Sequence, residues 1–259
     1  MPDLLVRCLG WRALLIQGDP VVLERWKWLR SRIPGSAGRT SSDRPLRMLD
    51  AGCGNGAFAL WGAARGNDVL GLSDTAEDLQ KARSRALLLS LQQVRFEEYD
   101  LRRLSHDGAR IGEFNVVLCL EVIEHVLDDV GLLRGLAAQL HPGGLLFLST
   151  PSHDHKPLFG ERAHLSSVED GRHVRWGYSK EQLAGVLVAA GLEPVEFIHF
   201  GGYLTQRLCG AIWRLQRISL PLAWGLTLPL RAVTLIDDVL TARLGIAFMS
   251  LGAVARKPG

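Results

Sequence analysis

The sequence predicts an α/β fold: a doubly wound, mostly parallel sheet with helices on both faces. Three observations predict it. From Arg47 onward, apolar runs of strand length alternate with longer stretches of helical spacing. A glycine-rich turn (Gly52, Gly54, Gly56) follows the first strand directly and opens into the first of those helices. The 259 residues hold one polar Gly/Ser-rich linker, 34–45, which separates a helical segment, 1–45, from a domain-sized stretch, 46–259. An apolar helical insertion, 201–245, interrupts the alternation near the C-terminus.

Each element has its own local reason. The first 33 residues read as helical; Asp19 caps a helix that starts on Pro20, and Leu23, Trp26 and Arg30 share one side. Arg47–Ala51 is a short apolar strand. Ala57–Arg65 is a helix stopped by Gly66, and Asp68–Leu72 is the second strand. Thr75 is placed to cap a helix with Leu79, Ala82, Ala86 and Leu89 inward. Val94–Tyr99 and Phe114–Leu120 are the third and fourth strands. Asp128 caps a helix with Val130, Leu133, Ala137 and Leu140 inward, and His141-Pro-Gly-Gly144 turns the chain into a fifth strand, Leu145–Ser149. Ser179 with Gln182 forms a capping box for a helix that Gly191 ends. Val195–Phe200 and Ile246–Ala255 are the last strands. In such a sheet, ligands sit at the carboxyl ends of the strands where strand order reverses.

Composition narrows the function. A net charge of +3 argues against a dedicated nucleic-acid binder. Cys8, Cys53, Cys119 and Cys209 form no CxxC pair, so reduced thiols in a cytoplasmic protein are expected rather than a zinc site or disulfides. Arg7 and Arg12 break the apolar run a secretory signal needs. The longest apolar candidate, Ile218 to Leu230, is too short to span a bilayer and is broken by Pro221, Gly225 and Pro229.

The most informative segment is Leu49-Asp-Ala-Gly-Cys-Gly-Asn-Gly56. Its glycines allow a tight turn and a close backbone approach to a ligand, and the following helix start favours an anionic group. Residues 46 to about 200 resemble the class I S-adenosylmethionine-dependent methyltransferases. Four ordered matches carry the resemblance: the LDAGCGNG run; Asp100 with Leu101 after the third strand; Cys119-Leu-Glu-Val-Ile-Glu-His125 after the fourth; and Leu140-His-Pro-Gly-Gly144 with Ser149-Thr-Pro151. The resemblance implies S-adenosylmethionine as cofactor, bound by Asp50, Gly52, Cys53, Gly54, Gly56, Asp100, Leu101, Cys119 and Glu121. It departs at the second strand's end, where an acidic residue usually holds the ribose hydroxyls. Ser73 stands there and Asp74 comes one later, so either is the ribose partner. A dinucleotide enzyme is the nearest rival, since Gly52, Gly54 and Ala57 also fit GxGxxA. A non-catalytic S-adenosylmethionine-binding scaffold is another and would explain Ser73.

Methyl transfer to a hydroxyl gains from a general base, and histidine titrates near neutral pH. His125 is the first candidate, with helix-start packing as its other reading. The segment 151–178 is long and polar, as a lid over an acceptor would be. Within it His173, Arg175 and Tyr178 are candidates to touch the acceptor, and a surface loop docked by Trp176 is the alternative. His153-Asp-His155, with Glu161 and Asp170, has no trusted metal-ligand spacing, so no metal is expected. Insertion 201–245 carries Trp213, Leu220, Leu222, Trp224, Leu226, Leu228 and Leu230, with Arg207, Arg214, Arg217 and Arg231 interspersed. Three uses compete: cover for an apolar acceptor pocket, peripheral contact with a membrane, and a homodimer face. The expected reaction is O-methylation of a small-molecule, lipid or glycan acceptor. The absence of an Asn/Asp-Pro-Pro-aromatic motif after the fourth strand counts against a nucleic-acid base as acceptor.

Overall fold

The computed structural model describes residues 2–34, 45–104, 111–156, 164–231 and 236–259, the side chains of Pro2, Asp3, Gln17, Leu220, Pro221 and Trp224 excepted. Helices α1 (Pro2–Leu9), α2 (Arg12–Gln17) and α3 (Pro20–Arg32) come first. Then follow β1 (Arg47–Ala51), α4 (Ala57–Ala64), β2 (Asp68–Ser73), α5 (Ala76–Leu88), β3 (Val94–Glu98) and β4 (Phe114–Leu120). After a 3-10 turn at Ile123–His125 come α6 (Asp129–Ala138), β5 (Leu140–Pro151), α7 (Lys180–Ala189) and β6 (Glu193–Phe200). Helices α8 (Tyr203–Gln216), α9 (Leu220–Thr227) and α10 (Asp237–Leu244) precede β7 (Ser250–Arg256).

The seven strands lie in the order β3-β2-β1-β4-β5-β7-β6. Neighbours from β3 through β5 pair parallel, and β7 runs antiparallel to both β5 and β6. The expected doubly wound fold is therefore present, with β7 alone reversed. Alternate residues along each strand serve opposite faces. Leu49, Val117 and Leu148 join Leu132, Leu136, Leu183 and Leu187 of α6 and α7 on one face. Met48, Val116 and Phe147 join Trp28, Leu29, Leu60, Trp61 and Leu79 of α3 to α5 on the other. Helix α3 thus packs into the sheet's own core, with Trp28 edge-on to Phe147 and Phe200. Of the linker that separated it in sequence, 34–45, residues 35–44 lie outside the described residues.

Local readings held where a side chain satisfies the backbone nearby. Asp19 accepts from Val22 N–H, Asp128 from Gly131 N–H, and the Ser179–Gln182 box is complete. Three readings need correction. Thr75 stands at the N-cap of α5 without capping it: no helix N–H donates to its hydroxyl, which is turned to donate to Asp74. His141–Gly144 is not a turn before β5 but a bulge inside it, spanned by the pairings Phe114–Leu140 and Val116–Leu145. Leu140 accordingly belongs to the strand and not to α6. No helix among the described residues is long and apolar enough to cross a membrane.

Candidate active site

Strand order reverses between β1 and β4, which opens a crevice at the carboxyl ends of β1, β2 and β4. The turn after β1 folds against β2: Gly52 and Cys53 N–H both donate to Leu72 C=O, at 3.0 and 2.8 Å. Two glycines there do different things. Gly52 has φ +84°, and a Cβ on it would overlap the Val122 side chain. Gly54 has φ +48°, and a Cβ on it would meet nothing within 4 Å. The first is demanded by the fold; the second presents bare backbone to open space. Gly56 is the left-handed N-cap of α4. The Cys53 thiol is buried, which pushes its pKa up and keeps it neutral.

Asp50 is only 3% exposed. It accepts a hydrogen bond from Ala59 N–H in the first turn of α4, and burial raises its pKa to about 7. Its Oδ2 is buried without a hydrogen-bond partner. At the end of β2, Ser73 is buried and its hydroxyl accepts from Thr75 N–H at 3.2 Å, while Asp74 is exposed. Beyond β3, Asp100 is gripped by Arg102 at 2.7 and 2.6 Å, which holds its carboxyl below the usual range. Arg102 also donates to Glu169 C=O at 3.2 Å, tying this edge of the crevice to the segment before α7. Leu101 is buried beside it.

The end of β4 is the most charged part of the site. Cys119 is wholly enclosed in the core, so its side chain cannot line the crevice, and burial raises its pKa. Glu121 adopts φ +56°, a region that costs a non-glycine residue about 1–3 kcal/mol and concentrates at functional sites. Its carboxylate pairs with Arg25 of α3 at 2.9 Å and accepts from the Ser149 hydroxyl at 3.0 Å. Three residues on, Glu124 is 1% exposed, and burial, then the Glu121 charge, raises its pKa well above the usual carboxylate range. His125 Nε2 lies 3.8 Å from Glu124 Oε1, and its Nδ1 is buried without a hydrogen-bond partner. The ring of His173 stands edge-on to that of His125, centroids 4.7 Å apart. Burial, then His125, lowers the His173 pKa, which leaves it neutral at neutral pH. One ligand atom from each of Glu124, His125 and His173 lies within 4.8 Å of the others, a set able to hold a metal ion.

The segment 164–178 is fastened over this turn. Arg175 donates to the carbonyls of Ile123, Val126 and Leu127 at 2.8, 2.6 and 2.9 Å, and Val174 N–H donates to Glu124 C=O at 2.9 Å. The Tyr178 hydroxyl donates to Asp129 at 2.6 Å and accepts from Arg175 at 2.8 Å. Burial and that bond to Asp129 raise its pKa far above neutrality. The expectation that Tyr178 acts on the acceptor is therefore corrected: a buried phenol committed to a carboxylate is a post, not a base. Arg175 is likewise a clasp. His153 is exposed, and its backbone N–H donates to Tyr178 C=O at 3.0 Å; Glu161 and the rest of 157–163 lie outside the described residues.

The structure places Gly52–Gly56, Asp74, Asp100 and His125, all singled out in the sequence, at one end of the sheet, with His173 against His125. Sequence reasoning missed Arg25, Arg102 and Glu124. The i, i+3, i+4 spacing of Glu121, Glu124 and His125 was the available signal for Glu124; Arg25, 96 positions from its partner, left none.

The bare backbone at Gly54 and the unpartnered Asp50 oxygen fit a ligand that lies against the β1 turn. The "Methyltransferase domain" family matches residues 24–196, more than half the chain and including Arg25. Ubiquinone biosynthesis O-methyltransferase of Acinetobacter baumannii (strain AYE) is 32% identical over 153 residues, 58% of this chain and 61% of that protein. The same-named protein of Marinobacter nauticus is 34% identical over 155 residues, 58% and 65%. The chain thus spans about three fifths of the length of these relatives. An S-adenosylmethionine-dependent methyltransferase from Mesorhizobium loti has the same fold, with TM-score 0.58, 19% identity and 93% and 99% coverage. So does Haemonchus contortus phosphoethanolamine N-methyltransferase 2 in complex with S-adenosyl-L-methionine: TM-score 0.58, 18% identity, 97% and 60% coverage. Motif, crevice and family match together place the chain in the class I S-adenosylmethionine-dependent methyltransferase family.

Proposed function

We propose that this protein methylates a hydroxyl oxygen of a small-molecule acceptor of lipid or glycan class. The observation that carries the reading is the Glu124–His125–His173 cluster beside the cofactor crevice, a base set in which the buried His125 Nδ1 has no hydrogen-bond partner. Relatives named for O-methylation support oxygen as the acceptor atom. Bound S-adenosylmethionine supplies a methyl group already activated by a positive sulfur. The protein's task is then alignment, water exclusion and removal of one proton. Gly54 presents its backbone to the cofactor; Asp74, the exposed carboxylate at the end of β2, takes the ribose hydroxyls in place of buried Ser73; Asp100 and Leu101 border the adenine. His125 accepts the hydroxyl proton as oxygen attacks, with the Glu124 carboxyl 3.8 Å from its Nε2. Arg175 and Tyr178 hold the 164–178 segment so that His173 closes over His125.

The test is turnover on matched acceptors that differ only in a hydroxyl or an amine at one position. Product mass and fragmentation should show methyl on oxygen alone. Methyl on nitrogen, or no S-adenosylhomocysteine with any hydroxyl acceptor, would sink the proposal.

A second reading has its own observation. The ligand atoms of Glu124, His125 and His173 converge as a carboxylate and two imidazoles would around a divalent cation, which would lower the pKa of a bound hydroxyl directly. Turnover abolished by a chelator and restored by a divalent metal supports the cation; turnover indifferent to both leaves His125 as the base.

A further inference from the structure

We propose that helices α8 and α9 form a docking face for an anionic lipid bilayer. The stretch that builds them is unusual in its charge. Between Gly201 and Ile236 there is no Asp or Glu, while Arg207, Arg214, Arg217 and Arg231 are all basic. It also falls outside the family match, which ends at residue 196, so the domain's shared chemistry does not account for it.

The fold sorts these residues. Helix α8 turns Thr205, Gln206, Leu208, Cys209 and Ile212 inward. It leaves Arg207, Trp213 and Arg214 outward, with Arg217 and Ile218 exposed just beyond its end. Leu222, Leu226, Leu228 and Leu230 follow in and after α9, each exposed, whereas α10 opens with Asp237 and the exposed Asp238 and bounds the face. Ile218 at 77% and Leu226 at 56% exposure are far from core positions. Arg231 turns the other way: it is buried and donates to Leu15 C=O at 3.2 Å and Gly18 C=O at 2.9 Å. That clasp fixes the insertion to the N-terminal helices, so the apolar face is presented by a held scaffold.

Charge chooses among the occupants. A twofold contact with a second copy sets the same patch against itself. Here that would bring arginines against arginines with no carboxylate between 201 and 236 to receive them. Phosphate headgroups supply what is missing, and the leucines and tryptophan enter the headgroup–acyl boundary while the arginines stay among the phosphates. The helices are too short to cross, so the contact is peripheral. This proposal does not rest on the acceptor or on the base assignment.

The test is cosedimentation of the full chain with phosphatidylcholine vesicles, with and without phosphatidylglycerol. Binding should require phosphatidylglycerol and weaken with salt. The Arg207→Glu, Arg214→Glu, Arg217→Glu triple variant should lose on the order of 100-fold or more in partitioning. A Leu226→Ser, Leu228→Ser variant should also lose binding, which separates lipid insertion from charge alone. Both variants should bind S-adenosylhomocysteine as the parent does, which shows that they are folded. The proposal falls if the parent fails to sediment with phosphatidylglycerol vesicles at low salt, or if both folded variants bind as well as the parent. A concentration-dependent dimer that the serine substitutions abolish, without vesicle binding, would assign the face to a second copy and overturn it.

Discussion

Replacing Gly52 and Gly54 separately with alanine divides the two duties of the turn after β1. Both residues have positive φ, where an alanine costs about 1–2 kcal/mol. At Gly52 the new methyl must also displace Val122, which adds about 1–3 kcal/mol. The total of about 2–5 kcal/mol lowers Tm by roughly 4–20 °C at about 2–4 °C per kcal/mol for a chain of this size. At Gly54 nothing is displaced, so Tm falls by only about 2–8 °C. The methyl at Gly54 stands instead where a ligand would meet backbone. Forcing it apart by one carbon costs about 1–3 kcal/mol, or roughly 5–150-fold in affinity. Thermal unfolding and calorimetric titration with S-adenosylhomocysteine read the two quantities. Gly54→Ala should bind poorly and unfold almost normally, and Gly52→Ala should do the reverse in its folded fraction. Unchanged affinity in Gly54→Ala would refute the placement of the cofactor against this turn.

Three further expectations follow from the geometry. In Tyr178→Phe, Asp129 and Arg175 lose their shared partner, which costs about 1–3 kcal/mol in stability; turnover by folded protein should stay within about tenfold, whereas the loss of a true base would cost about 10²–10⁴-fold. Asp50 is protonated in the fold up to about pH 7 but ionises near 3.8 when unfolded, so its contribution to stability is fully present below that lower value and is lost as pH rises through 7. The difference approaches the order of 4 kcal/mol at about 1.36 kcal/mol per pH unit; Asp50→Asn should remove this slope, and parallel Tm curves for the two proteins between pH 5 and 8 would contradict it. In Arg25→Met, Glu121 loses its cation, and since Glu121 retains 30% side-chain exposure the cost is about 1–3 kcal/mol rather than that of a fully buried pair; turnover should fall although Arg25 lies before the first strand, and unchanged turnover would remove α3 from the site.

What could be read from the sequence was whatever is fixed locally. Strand and helix periods, the Asp19, Asp128 and Ser179 caps and the spacing of Gly52, Gly54 and Gly56 depend on neighbours within a few positions, and each reappears in the structure. The failures have long reach or compete locally. Thr75 turns its hydroxyl to donate to Asp74, one residue away, and accepts from no helix N–H. The Pro-Gly-Gly of 142–144 reads as a turn, yet pairing with β4 and β7 on either side keeps the chain in the sheet as a bulge. Tyr178 was misread because its role depends on Asp129, 49 positions earlier. Arg25 enters the site only because α3 packs on the sheet, and that leaves no spacing in the sequence.

The most direct measurement is hydrogen–deuterium exchange with and without S-adenosylhomocysteine. Protection should rise in the segments holding Gly52–Ala57, Ser73–Thr75, Asp100–Arg102 and Glu121–His125, the four pieces that meet at the carboxyl end of the sheet. Tight binding with no added protection in those segments would place the cofactor elsewhere and contradict the site described above.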